Sequence, residues 1–184
     1  MDKVIGALIC ALIVIAAVWL MRRSWRRRTQ RDQGIGGYPL PPEEGEALVD
    51  LEALYVASTP REEPLERLAI PGLAFRGTAR IRIEAAGLTI RVAGEEPVFI
   101  PAGVLSDAET AGWAIDRGVE PEGLVVVRWR AREDGSEDGV AVDSYLRARY
   151  EGDRDQIIEA IGTIAASGEA AHPASAPEPP ESES

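Results

Sequence analysis

The sequence is poor in the residues that carry covalent chemistry and bind transition metals. It has one cysteine, Cys10, and one histidine, His172. A lone cysteine excludes an intrachain disulfide framework and any site built from paired thiolates. Lysine is nearly absent as well: of the 20 Lys and Arg residues, only Lys3 is lysine. A nucleophile–base pair needs Ser, Cys or Lys beside a histidine or an activated carboxylate. Between residues 48 and 164 there is no Cys, His or Lys, so Ser58, Ser106, Ser136 and Ser144 have no histidine to activate them. Carboxylates are plentiful, as in Glu62-Glu63 and Glu95-Glu96, but they sit beside Pro or Gly in turn-like stretches and read as solvated charge. Asp134-Gly-Ser-Glu-Asp138 resembles a loose calcium loop without the spacing or terminal Glu of an EF-hand. No glycine-rich phosphate loop follows a strand. The expectation is a protein with no cofactor, no metal and no catalytic set.

What the chain does contain is charge of both signs, kept apart. The formal net charge is −11. Arg22, Arg23, Arg26, Arg27, Arg28 and Arg31 form a basic collar, whereas residues 33–184 hold 13 Arg against 29 Asp and Glu, a net of −16. Such asymmetry means that the two parts face different surroundings. It also argues against nucleic acid as a partner, because that binding depends on neutralising phosphates.

The collar follows an uncharged apolar run, Val4–Met21. At about 1.5 Å per residue a helix over this run spans roughly 27 Å, close to a hydrocarbon core of about 30 Å. Trp19 falls near one end, where an indole prefers the membrane interface. A cleaved signal peptide carries its positive charge before the apolar stretch; here the arginines come after it. The reading is one transmembrane helix over 4–21 in the plasma membrane. Trp19, Arg22, Arg23, Arg26, Arg27 and Arg28 set its position and topology: the N-terminus outside, the arginines and everything after them in the cytoplasm. The arginines also attract anionic headgroups. Gly6/Cys10 and Ala7/Ala11 place small residues four apart, a weak signal for a homodimer through the helix.

Residues 22–47 read as a basic juxtamembrane segment and flexible linker, with Gly34-Ile-Gly-Gly37 followed by Pro39, Pro41 and Pro42. Residues 165–184 read as a disordered acidic Pro/Ala/Ser tail. Between them period-2 patterns dominate. Ala79, Ile81 and Ile83 alternate with Arg80, Arg82 and Glu84, and Leu88-Thr-Ile-Arg-Val92 alternates again after a turn at Ala85-Ala-Gly87. Leu51–Val56, Val98–Ile100, Gly123–Arg130, Val140–Arg149 and, more weakly, Ala108–Ile115 are further strands. Asp153 and Gln156 make a capping-box arrangement ahead of Ile157, Ile158, Ile161 and Ile164 at helical spacing. The fold class is therefore mainly β with one C-terminal helix, a barrel or sandwich of about seven strands over 48–164. Trp113 and Trp129 read as packing residues.

Thr78-Ala-Arg-Ile-Arg-Ile, Gly87-Leu-Thr-Ile-Arg-Val and Val98-Phe-Ile-Pro101 resemble the strand 2–4 core of bacterial pleckstrin-homology (PH)-like proteins. Leu54-Tyr-Val-Ala-Ser-Thr59, with Leu73-Ala-Phe-Arg-Gly77, resembles an actinobacterial subgroup with one N-terminal helix and one such domain, whose members are often labelled membrane, export or transporter proteins. The resemblance implies a PH-like fold and a protein-interaction or scaffolding role, with an unidentified membrane or cytoplasmic protein as partner. An accessory subunit of a transport or envelope machine is the alternative, and a lipid-headgroup sensor a second. PH domains that hold phosphoinositides use basic residues around the first hairpin, and the matching positions are Arg76, Arg80 and Arg82.

Overall fold

The computed structural model describes residues 2–32, 34–114, 117–118 and 123–171; within these the side chains of 2–8, 25, 27–31, 113–114, 117–118, 151 and 169–171 lie outside the description. Helix α1 runs unbroken over Asp2–Asp32. Ala, Leu and Ile, then Arg and Gln, are good helix formers, and three glycines within residues 34–37 end it. Among the described residues no helix is long and apolar enough to cross a membrane. The side chains that open the uncharged run are outside that description. Of the described ones, Ile9, Leu12, Ile13, Val14, Ile15, Val18, Trp19, Leu20 and Met21 are all exposed.

The expected linker is structured. After α1 comes a two-residue strand, β1 (Ile35–Gly36), then β2 (Ala47–Pro60), β3 (Gly77–Glu84), β4 (Gly87–Val92) and β5 (Val98–Pro101). A 3-10 turn (Ala102–Val104) leads into β6 (Leu105–Ala111), the small hairpin β7 (Trp113–Ala114) and β8 (Arg117–Gly118), β9 (Leu124–Glu133), β10 (Ser136–Ala148) and helix α2 (Glu151–Ala171). The main sheet has the order β1-β9-β10-β2-β3-β4-β5, with β6 also on β9. Every pairing is antiparallel. The β3–β4 hairpin lies where the alternation put it, with Ile81 opposite Ile90 and Ile83 opposite Leu88.

The inward residues of these strands make one core: Ala79, Ile81 and Ile83 of β3, Leu88 and Ile90 of β4, and Val125, Val127 and Trp129 of β9. Helix α2 adds Ile157, Ile161, Ile164 and Ala165 to it. The isoleucine stripe covers the corner between β5 and β6, where the sheet is unpaired. Gly168 packs so tightly there that an added Cβ would lie 2.7 Å from Ala102. The helix therefore starts before Asp153 and continues into the stretch expected to be tail. The strand expected over Ala108–Ile115 is β6, three residues earlier, and the Trp113 side chain is outside the described set. Leu68, Ile70 and Leu73 of the 61–76 loop are buried and plug the barrel end at which the β4–β5 and β9–β10 turns also lie.

Candidate functional site

Residues 34–45 form a strap around this barrel. It begins at the end of α1, where Asp32 is fully buried and its Oδ2 accepts the Ala69 N–H at 2.9 Å. The Gly34 carbonyl then accepts the Asp134 N–H at 2.9 Å, and Ile35 and Gly36 pair with Glu133 and Arg132 of β9. Two residues on, the Tyr38 N–H donates to the Phe99 carbonyl of β5 at 2.9 Å, while its hydroxyl donates to the Arg130 carbonyl of β9 at 3.2 Å. Burial raises the Tyr38 hydroxyl above its ordinary value, against the lowering charges of Arg130 and Arg132. The strap thus bridges β9 and β5, which do not pair with each other, and nearly closes the sheet into a ring.

The far end of the strap is fixed by the arginines that the sequence singles out. Arg82 donates through Nη2 to the Gly45 carbonyl at 2.8 Å and through Nη1 to Asp50 at 3.2 Å. Its Nε pairs with Glu84, whose other oxygen accepts the Gly45 N–H at 2.8 Å. Arg80 holds Asp50 with two bonds, at 2.6 and 2.8 Å. The Arg80 hydrogen bond keeps the Asp50 carboxyl below the usual carboxylate range, with Arg82 adding to the effect. Both guanidiniums are thus occupied by their own chain. They line a cavity of about 310 Å³ with Arg91, Thr89 and the strap residues Leu40, Pro41 and Glu44. Arg76, exposed in the loop before β3, is not part of that lining. The structure therefore brings Arg80 and Arg82 together without Arg76, and ties them to acids where the sequence reading considered a headgroup or partner contact.

Inside the barrel a polar chain crosses the core. The Trp129 Nε1–H donates to Ser144 Oγ at 2.9 Å, and Ser144 Oγ lies 2.6 Å from Ser58 Oγ. Tyr55 Oη is 3.0 Å from Ser58 Oγ and 2.8 Å from the Leu73 carbonyl. A hydroxyl has one proton and a carbonyl only accepts. Tyr55 must therefore donate to Leu73, Ser58 to Tyr55 and Ser144 to Ser58, so each donor is used once. Burial pushes the Tyr55 hydroxyl far above the usual tyrosine value, which keeps it a donor. This chain binds the 61–76 loop to the wall of the barrel. Trp129 is a core residue, as its apolar alternation suggests.

Of the residues expected to set topology, Trp19, Arg22, Arg23 and Arg26 are exposed, and the Arg23 guanidinium stands 5.5 Å from the Trp19 ring centre. The side chains of Arg27 and Arg28 are outside the described set. Among the described residues no group of three or more His, Cys, Asp or Glu side chains is placed to hold a metal ion. The sequence reading missed Asp32, Gly37 and Tyr38, because their partners, Ala69, Val98 and Phe99, lie far along the chain and leave no local pattern.

A nearly closed antiparallel barrel, sealed at one corner by a C-terminal helix, defines the PH-like class. A family model described as bacterial PH domain-like matches residues 35–162. The chain belongs to that family, and the match begins at β1, so the strap is part of the domain. No curated protein matches the chain significantly. PH-like domains are generally non-catalytic and commonly serve as interaction modules.

Proposed function

We propose that this is a single-pass membrane protein whose PH-like domain acts as a non-enzymatic protein-interaction or scaffolding module on the cytoplasmic face of the plasma membrane. One observation carries the membrane part. Ile13, Val14 and Ile15 are consecutive, so they point to different sides of α1, and each is more than 60% exposed. A helix that is apolar all round belongs in lipid or among other helices, and nothing in the described chain covers this one. The uncharged run Val4–Met21 and the arginines after it support an N-out orientation. Family membership supports the interaction part. The ion pairs of Arg80 and Arg82 weigh against a headgroup sensor, since a lipid phosphate would have to displace Asp50 and Glu84.

The test is chemical cross-linking in cells, gentle solubilisation and capture of the full chain, beside a version lacking residues 35–171. A partner recovered only with the domain present is the expected result. Repeated recovery of the bait alone would remove the interaction reading.

A further inference from the structure

The strap has the features of a removable strand. β1 contributes only Ile35 and Gly36 to the sheet, and β5 receives a single bridge, from Tyr38. Cavities lie against two successive stretches of it. One, of about 230 Å³, is lined by residues 34–38 with Pro71, Pro97, Val98 and Arg132; the other, of about 310 Å³, lies beside Leu40, Pro41 and Glu44. A segment with open space beside it makes fewer contacts than a packed strand. The fit between them is narrow. A Cβ on Gly37 would lie 2.5 Å from Val98 Cγ1 and 3.1 Å from the Phe99 carbonyl.

What the strap covers is the edge of an apolar strand. Val98 and Ile100 point into the core, so Phe99 points outward by alternation, yet it is only 7% exposed. Removing the strap uncovers the free edge of β5 at Phe99 and the end of β9 beyond Trp129, where β6 no longer pairs. Such an edge is a template for another extended segment.

We propose that the strap is an autoinhibitory strand, and that the slot between β5 and β9 is the docking site for an extended partner segment that replaces it. The partner segment has the chemistry of the strap: no side chain opposite Val98, then an aromatic residue whose hydroxyl reaches the Arg130 carbonyl. This deepens the interaction-module reading and rests on it.

The probe is a fluorescent peptide of residues 34–41, added to the full chain in detergent. Gly37→Val, which blocks the fit, and Tyr38→Pro, which removes the N–H that bonds Phe99, each release the strap. Faster hydrogen exchange in residues 34–38 and at the Asp134 amide reports that release. The expected result is at least tenfold tighter peptide binding by the released variants than by wild type, and none by a peptide that itself carries Gly37→Val. Release without a gain in peptide binding overturns the docking site. Unchanged exchange in both variants overturns the removable strap. Either failure leaves the partner capture described above unaffected, so the two readings fail separately.

Discussion

Asp32 Oδ2 accepts the backbone N–H of Ala69 at 2.9 Å, with the Asp32 side chain wholly buried. This bond ties the end of α1 to the loop that plugs the barrel. Its loss leaves a buried N–H unsatisfied, at a cost of about 1–3 kcal/mol. Asp32→Ala is expected to speed exchange of the Ala69 amide and lower the melting temperature of the full chain. Asp32→Asn keeps an acceptor oxygen and is expected to retain most of the protection. Equal loss in both variants would show that the charge, not the bond, holds the joint.

The polar chain through the core makes a graded expectation. Ser144→Ala strands the Trp129 N–H and takes away the bond that Ser58 Oγ accepts, while the Ser58 O–H still reaches Tyr55. Tyr55→Phe strands the Leu73 carbonyl, which retains its second lone pair, and frees Ser58 to rotate. The first change is expected to cost about 1–3 kcal/mol and the second about 1 kcal/mol, from chemical denaturation followed by tryptophan fluorescence. A larger effect for Tyr55→Phe would contradict the assigned donor order.

Arg67 carries the opposite expectation. Among the described residues its Nε and Nη2 are buried with no hydrogen-bond partner. Desolvated donors without partners oppose folding, and an apolar side chain of similar length removes that penalty while keeping the packing. Arg67→Met is therefore expected to leave stability unchanged or raise it, read as the midpoint of urea unfolding. A clear fall would reveal a partner for the guanidinium.

The Arg80–Asp50 pair sets an acid limit. The Asp50 pKa is lower folded than unfolded. Its contribution is complete above the unfolded value, about 3.9, and is lost as pH falls through the folded one. Wild type is expected to lose stability more steeply than Asp50→Asn below about pH 4. Because Arg80 is largely exposed, the difference is expected to shrink in high salt. Parallel acid profiles for the two proteins would remove Asp50 from the account.

Much of the barrel was legible because alternation is a local signal. Ala79, Ile81 and Ile83 announce β3, and the isoleucines of α2 announce a helix with one buried face. The strap was not legible, because what orders it is distant: Ile35 meets Glu133, and Tyr38 meets Phe99. Its glycines and prolines have the composition of a linker, and only the β9 and β5 edges make it a strand. The burial of Leu68, Ile70 and Leu73 was hidden in a loop without periodicity. Arg80 and Arg82 were found, but their partners were not. Asp50 sits one strand away, and the Gly45 carbonyl carries no side-chain signature.

The measurement that bears most directly on the account is alkaline carbonate extraction of membranes from cells making the full chain. The chain is expected in the membrane pellet. Ile13→Arg, which adds about 2.5–3.5 kcal/mol of insertion cost at the helix centre, is expected to shift it toward the soluble fraction. Wild-type protein recovered in the carbonate supernatant would contradict the anchored module.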